Sequence, residues 1–265
     1  MQQAHDFHTE SDALHQIVQP LSDSGLEQVT AFKGWTINDV IGHLHIWNIA
    51  ADLSLRDEAV FRAFFAEVAA SFQQGSLKDF ERNFLENLRG KALVAQWHED
   101  YKEIAKNFAK ADPKARLPWA GPSMSARSSI TARLMETWAH GQEIYDLLGL
   151  KRQNGDHIRG IVVLGVNTFG WTYKNRREDV PEQMPYLVLT APSGDIWTYG
   201  EENGNERIEG LAEEFCQVVT QTRNIADTHL QVTGAVAADW MQKAQCFAGA
   251  PVPPPPPGTR VTKPR

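Results

Sequence analysis

Residues 5–19 carry apolar positions at helical spacing, with Leu14, Ile17 and Val18 on one side, and Pro20 stops the run. Thr36 stands as an N-cap with Asp39 three residues on, an acidic form of the capping box. Val40, Ile41, Leu44, Trp47, Ala51 and Leu55 then recur every three or four positions. Phe61, Phe64, Phe65 and Val68 extend the pattern, as the same helix or after a break, towards Gly75. Residues 77–109 read as one or two further helices, through Phe80, Phe84, Leu88, Leu93, Trp97, Tyr101, Ile104 and Phe108, and Asp112-Pro113 ends them. After a loop at 117–122, Ser123 is expected to cap a helix that runs to Leu148, with Gly149 placed to close it. Four long helices with short polar breaks predict a four-helix bundle over residues 1–150.

The pattern then changes. A helix is expected over 157–173, and Pro181 and Pro185 bracket a turn. Residues 186–190 and 196–199 alternate as two strands around a turn at 192–195, which predicts a hairpin. A helix over 207–222, an extended segment at 227–232 and a helix over 235–247 complete a small α+β domain, 151–250. The fold class is therefore α+β overall. Residues 251–265 are proline-rich and cannot pack a core, so they are expected to be disordered or extended.

Composition narrows the functions. The 265 residues are 42% hydrophobic and 22% charged, enough apolar material for two cores. A net charge of −7 repels polyanions, and Lys174-Asn175-Arg176-Arg177 is the densest basic spot, followed at once by Glu178 and Asp179. Nucleic acid is thus excluded as a partner. No run of 18 apolar residues occurs and the N-terminus lacks signal-peptide features, so a membrane is excluded too. Cys216 and Cys246 sit in apolar helical contexts and read as reduced buried thiols of a cytoplasmic protein.

The candidate chemistry is metal binding. Glu136 and His140 are four apart, hence on one helix face a turn apart, with Arg133 and Glu143 beside them. Such a pair is also common on solvated helices. His43 lies in another helix, where a lone histidine is usually a hydrogen-bonded core residue; His45 points elsewhere. A third ligand from a second helix would give two histidines and a glutamate, leaving a coordination position open as catalytic sites do.

Trp35-Thr-Ile-Asn-Asp-Val-Ile-Gly-His43-Leu and Glu136-Thr-Trp-Ala-His140-Gly together resemble the DinB-like superfamily, and more closely the N-terminal domain of mycothiol-dependent maleylpyruvate isomerases. The resemblance implies that His43, Glu136 and His140 bind a divalent metal, zinc first, with iron, nickel or manganese as alternatives. It also implies a low-molecular-weight thiol as cofactor. The C-terminal half, with Trp197-Thr-Tyr-Gly200 and Asp239-Trp240, resembles an uncharacterised metal-binding subgroup that carries a "wyosine base formation" label. Its small α+β fold is similar to sterol-carrier-protein-like domains. The acidic balance and the lack of an iron–sulfur cysteine set argue against tRNA chemistry.

Further residues are nominated around this site. Arg176 could clamp a carboxylate of an anionic small-molecule substrate, with Asn175 and Arg177 beside it, although cations at a helix C-terminus also simply complement the dipole. Arg133 and Trp47 are substrate-binding candidates, and Glu143 could orient His140 or a bound water, or be a simple surface acid. The leading expectation is a metal-dependent, thiol-assisted isomerase or S-transferase acting on a small organic acid, compatible with a homodimer. Its rivals are a metal-hydroxide hydrolase or hydratase/lyase on an acyl thioester, and a non-enzymatic lipid- or acyl-binding module.

Overall fold

The computed structural model describes residues 1–71, 76–119 and 121–263. They form two compact units, Met1–Ile144 and Tyr145–Arg265.

The first unit is helical: α1 (Gln2–Val18), a single turn α2 (Asp23–Leu26), α3 (Ile37–Arg56), α4 (Glu58–Ser71), α5 (Leu77–Leu85), α6 (Gly90–Lys110), a two-residue ribbon β1 (Arg116–Leu117) with β2 (Met124–Ser125), and α7 (Ala126–Leu147). The long helices α1, α3, α6 and α7 are the bundle, with α6 packed on both α1 and α3. Its core holds Phe7, Leu14, Trp97, Tyr101, Phe108 and Trp138, all fully buried. Each such side chain contributes on the order of 1.5–3 kcal/mol by leaving water. Beside this core, Ile46, Ala50, Phe61, Phe64, Val68 and Phe80 form a second apolar cluster that seats α4 and α5 against α3.

The helix ends follow local chemistry. Thr36 Oγ1 accepts from the Asp39 N–H and Asp39 Oδ2 accepts from the Thr36 N–H, each at 3.0 Å, so the capping box forms. Thr36→Ala is expected to lower stability by about 1 kcal/mol, read from the urea midpoint. The break between α3 and α4 falls at Asp57, whose Oδ1 accepts from the N–H groups of Ala59 and Val60. The expected stop near Gly75 lies outside the described residues. Glu86, at φ 49°, ends α5, and Gly90, at φ 61°, opens α6 where a Cβ would stand 2.2 Å from Asp23 Oδ1. Gly149, at φ 64°, closes α7: its own N–H bonds Asp146 O and the Leu150 N–H bonds Tyr145 O, a Schellman stop. Ser123 is not the cap of α7. Ser125 Oγ accepts from the Ser128 N–H, because β2 carries the chain two residues further before the helix starts.

The second unit contains α8 (Arg159–Asn167), α9 (Phe169–Arg176), β3 (Tyr186–Thr190), β4 (Ile196–Tyr199), β5 (Arg207–Leu211), α10 (Ala212–Val219), β6 (Gln231–Thr233) and α11 (Ala235–Met241). The sheet order is β4-β3-β5-β6. The β3–β4 hairpin pairs Leu187 with Tyr199 and Leu189 with Trp197, β3 and β5 run parallel, and β5 and β6 run antiparallel. The core gathers Trp240, Phe215, Ile161, Leu187 and Leu189.

Three elements differ from the sequence expectation. The helix expected over 207–222 starts only at Ala212, because 207–211 are drawn into the sheet as a central strand, which leaves Leu211 exposed rather than in the core. The helix expected over 157–173 is interrupted at Thr168, whose hydroxyl bonds back to Leu164 O and Gly165 O and bends the chain. The helix expected over 235–247 stops at Met241.

Residues 251–263 add neither helix nor strand, yet they are tied to the fold. Prolines offer carbonyls and no N–H, and this unit supplies donors: Arg176 and Gln221 to Val252 O, Asn224 to Pro255 O. Pro264 and Arg265 lie outside the described residues.

Candidate metal centre

The capping box sets the phase of α3 so that His43 falls two turns in, buried against α7. Glu136 and His140 share one face of α7. One ligand atom from each of His43, Glu136 and His140 lies within 4.8 Å of the others. Glu136 Oε2 is 3.5 Å from His43 Nε2 and 3.2 Å from His140 Nε2. These separations bracket the edge, roughly 3.3 Å, of a tetrahedron with zinc–ligand bonds of about 2.0–2.1 Å. Two imidazoles and a carboxylate are also a donor set that suits zinc and neighbouring first-row ions. The three residues thus fit a divalent cation.

Glu81, on α5, completes the arrangement. Its Oε1 accepts from His43 Nδ1–H at 2.7 Å and from Trp47 Nε1–H at 2.8 Å. A carboxylate on Nδ1 leaves Nε2 as the coordinating atom and fixes the ring plane, the supporting contact that metal-binding histidines need. Glu81→Gln is expected to weaken zinc binding by about 10–100-fold without unfolding the bundle, measured by competition with a chromogenic chelator. Trp35 and Phe32 wall the other side: His140 stacks on Trp35 at 5.9 Å and 8°, and meets Phe32 edge-on at 5.0 Å. The loop before α3 holds them through the Val29–Thr36 bridge and the bond from the Thr30 N–H to Trp35 O. Behind His43, a small cavity of about 20 Å³, lined by Asn38, Asp39, Lys78, Glu81 and Arg82, has room for one water. Glu136 is the most open of the three residues, with 24% of its side chain exposed.

Electrostatics follow from burial and pairing. Burial by itself would lower the His43 pKa, but the hydrogen bonds and charges of Glu136 and Glu81 outweigh it and raise it to about 9. Burial also pulls His140 down, helped by the nearby His43 and opposed by its bond to Glu136. Glu136 resists the upward push of burial because both imidazoles bond to it, and it stays well below the usual carboxylate range. Burial lowers Arg133 to about 10, so it remains a cation at neutral pH.

In the metal-free protein, stability depends on pH through both His43 and Glu136. His43, raised from 6.5 to about 9, contributes stability that is full below pH 6.5 and lost as pH rises through 9. Glu136, lowered from 4.5, contributes stability present above pH 4.5 and lost as pH falls through its folded value. Chelator-treated protein should therefore lose thermal stability between pH 6.5 and 9. Zinc-loaded protein, with His43 neutral, should lack that alkaline slope and release a proton on metal uptake near pH 7, seen by calorimetry in two buffers.

Arg133 is buried and donates through Nε to Asn48 Oδ1 at 2.9 Å. Trp47 spends its N–H on Glu81 and presents ring edges to Trp119 and Phe64. Glu143 is 2% exposed and so is not a surface acid. His45 turns away, its Nδ1 3.5 Å from Asp100 Oδ2. In the second unit, Arg176 donates to Thr172 O and Val252 O, Asn175 donates to Gly249 O, and Arg177 is the exposed left-handed residue that ends α9. Glu81 was not nominated from the sequence. It sits in a short amphipathic helix, LKDFERNFL, where the spacing alone does not distinguish it from Lys78, Asp79 and Arg82.

A four-helix bundle with a histidine–glutamate–histidine cluster across two of its helices, joined to a small α+β unit, defines the class. Residues 7–145 match the mycothiol maleylpyruvate isomerase N-terminal domain family, and the chain belongs to that family. An uncharacterized protein of Mycobacterium tuberculosis, MT0041 in strain CDC 1551 / Oshkosh and Rv0036c in strain ATCC 25618 / H37Rv, is 35% identical over 247 residues, 93% of this chain and 95% of that protein. Among solved structures, the mycothiol-dependent maleylpyruvate isomerase matches with a TM-score of 0.53 at 14% identity, covering 82% of this chain and 87% of that one. A histidine-to-alanine mutant of that isomerase matches at 0.52 and 13%, with the same coverage. At this identity the likeness concerns the fold, and it confirms the DinB-like architecture. Among the described residues, no helix is long and apolar enough to cross a membrane.

Proposed function

We propose that this protein is a thiol-dependent isomerase that acts on a small organic acid at a divalent metal held by His43, Glu136 and His140. The observation that carries the reading is the approach of both Nε2 atoms to one glutamate oxygen, with Glu81 fixing the His43 ring from behind. Membership of the isomerase family supports the reaction class. A bound divalent ion would lower the pKa of a coordinated thiol or water and polarise a substrate carbonyl.

The chain's own residues do the rest. Glu81 holds His43 at a fixed angle, and Trp35 and Phe32 keep His140 in place and exclude water from that flank. Trp47 offers an apolar surface while its N–H stays on Glu81. Glu143 is the candidate for orienting His140, and Arg176, Asn175 and Arg177 are the second unit's candidates for an anionic substrate. Arg176 would have to exchange its bond to Val252 O for that role. Zinc is the proposed metal.

The test is turnover of maleylpyruvate by zinc-loaded protein with and without mycothiol, and again after chelation. Isomerisation that needs both components supports the reading. Turnover that survives removal of either one overturns it, and thiol-independent cleavage of an acyl thioester would instead favour a metal-hydroxide hydrolase.

A further inference from the structure

Arg133 sits one turn before Glu136 on α7 and is 3% exposed. Its hydrogen bond goes to a neutral amide, Asn48 Oδ1, and its Nη2 is buried without a hydrogen-bond partner. The Nδ2 of the same Asn48 is likewise buried and unpartnered. A buried donor left open has lost its water without gaining a partner, and a buried guanidinium without an anion loses more. Glu136 and Glu81 are near enough to act on its charge, but neither hydrogen-bonds to it.

The charge balance points the same way. With a divalent ion in place and both histidines neutral, the ion and Arg133 stand against the carboxylates of Glu136 and Glu81. One positive charge is left over in a buried setting, and a monoanionic group neutralises it. A guanidinium matches the planar, two-oxygen geometry of a carboxylate.

We infer that Arg133 and Asn48 form a donor pair that binds a carboxylate of the acid substrate beside the metal, and so select for anionic substrates. The inference rests on the metal-site reading above and adds the residues that read the substrate.

Cobalt-loaded protein titrated with maleate, followed by its visible spectrum, tests it. Maleate should bind the wild type. Arg133→Met should weaken maleate by about 10–100-fold while cobalt affinity and the band produced by 2-mercaptoethanol stay unchanged. Asn48→Asp should do the same by giving the guanidinium an internal carboxylate, and it decides the matter if Arg133→Met does not fold. Maleate affinity at the wild-type level in a folded, cobalt-loaded variant overturns the inference, as does a cobalt-loaded wild type that ignores maleate. A wild type that takes up no cobalt overturns both this inference and the metal-site reading, which separates the two failures.

Discussion

Glu136→Ala should yield a folded protein that no longer retains zinc through dialysis. Both candidate imidazoles converge on Glu136 Oε2, and no second carboxylate joins them in the described cluster. Losing this group removes the anionic ligand as well as one of three coordination bonds, so the loss should exceed the ~10–100-fold expected for a supporting residue such as Glu81. The substitution opens no large hole, because the side chain is one of the more open parts of the site. In the chelated state, His43 should lose one of the two carboxylates that raise its pKa, and its titration should move down. Metal analysis of the purified variant is the measurement. Zinc retained at one equivalent per chain would remove Glu136 from the ligand set.

Asp146→Ala should produce the largest loss of stability away from the site. Asp146 receives both terminal nitrogens of Arg223 at 2.7 Å, a two-point pair with side chains only 7% and 9% exposed. It also accepts from the Thr262 hydroxyl through Oδ1, and its backbone oxygen accepts from Lys263 N–H, so it ties the C-terminal tail to the second unit. Removing one partner of a buried pair strands the other charge, at about 3–5 kcal/mol. The double change Asp146→Leu with Arg223→Met should recover most of that loss, because neither member of the pair is then left without the other. Denaturant titration of the single and double variants tests this. Equal losses in both would show that packing, rather than the stranded guanidinium, sets the cost.

Much of the bundle is legible along the chain, and for a common reason. Capping at Thr36, the stop at Pro20 and the left-handed closure at Gly149 depend on residues within one turn of each other. The hairpin from Tyr186 to Tyr199 is equally local, set by alternation around a short turn. The helix expected over 207–222 fails over 207–211 because the identity of that segment is not local. Its residues pair in parallel with Tyr186–Thr190, and partners across a sheet outweigh the helical spacing within the segment.

The site divides in the same way. The pairing of Glu136 with His140 on one helix face is readable from a spacing of four. Where His43 points, and what stands behind it, is not. Glu81 reaches His43 only because α5 folds back over α3 on a cluster of aromatic side chains, and no interval along the chain encodes that approach. The open donors of Arg133 and Asn48 exist only once α3 and α7 are packed. By itself, the sequence determined the long bundle helices, the ends set at Pro20, Thr36 and Gly149, and the two motifs that carry the candidate ligands, since these arise from backbone geometry over a few residues. The tertiary structure alone decided the supporting carboxylate, the central strand and the buried cation, since each depends on groups brought together from distant parts of the chain by burial of apolar surface.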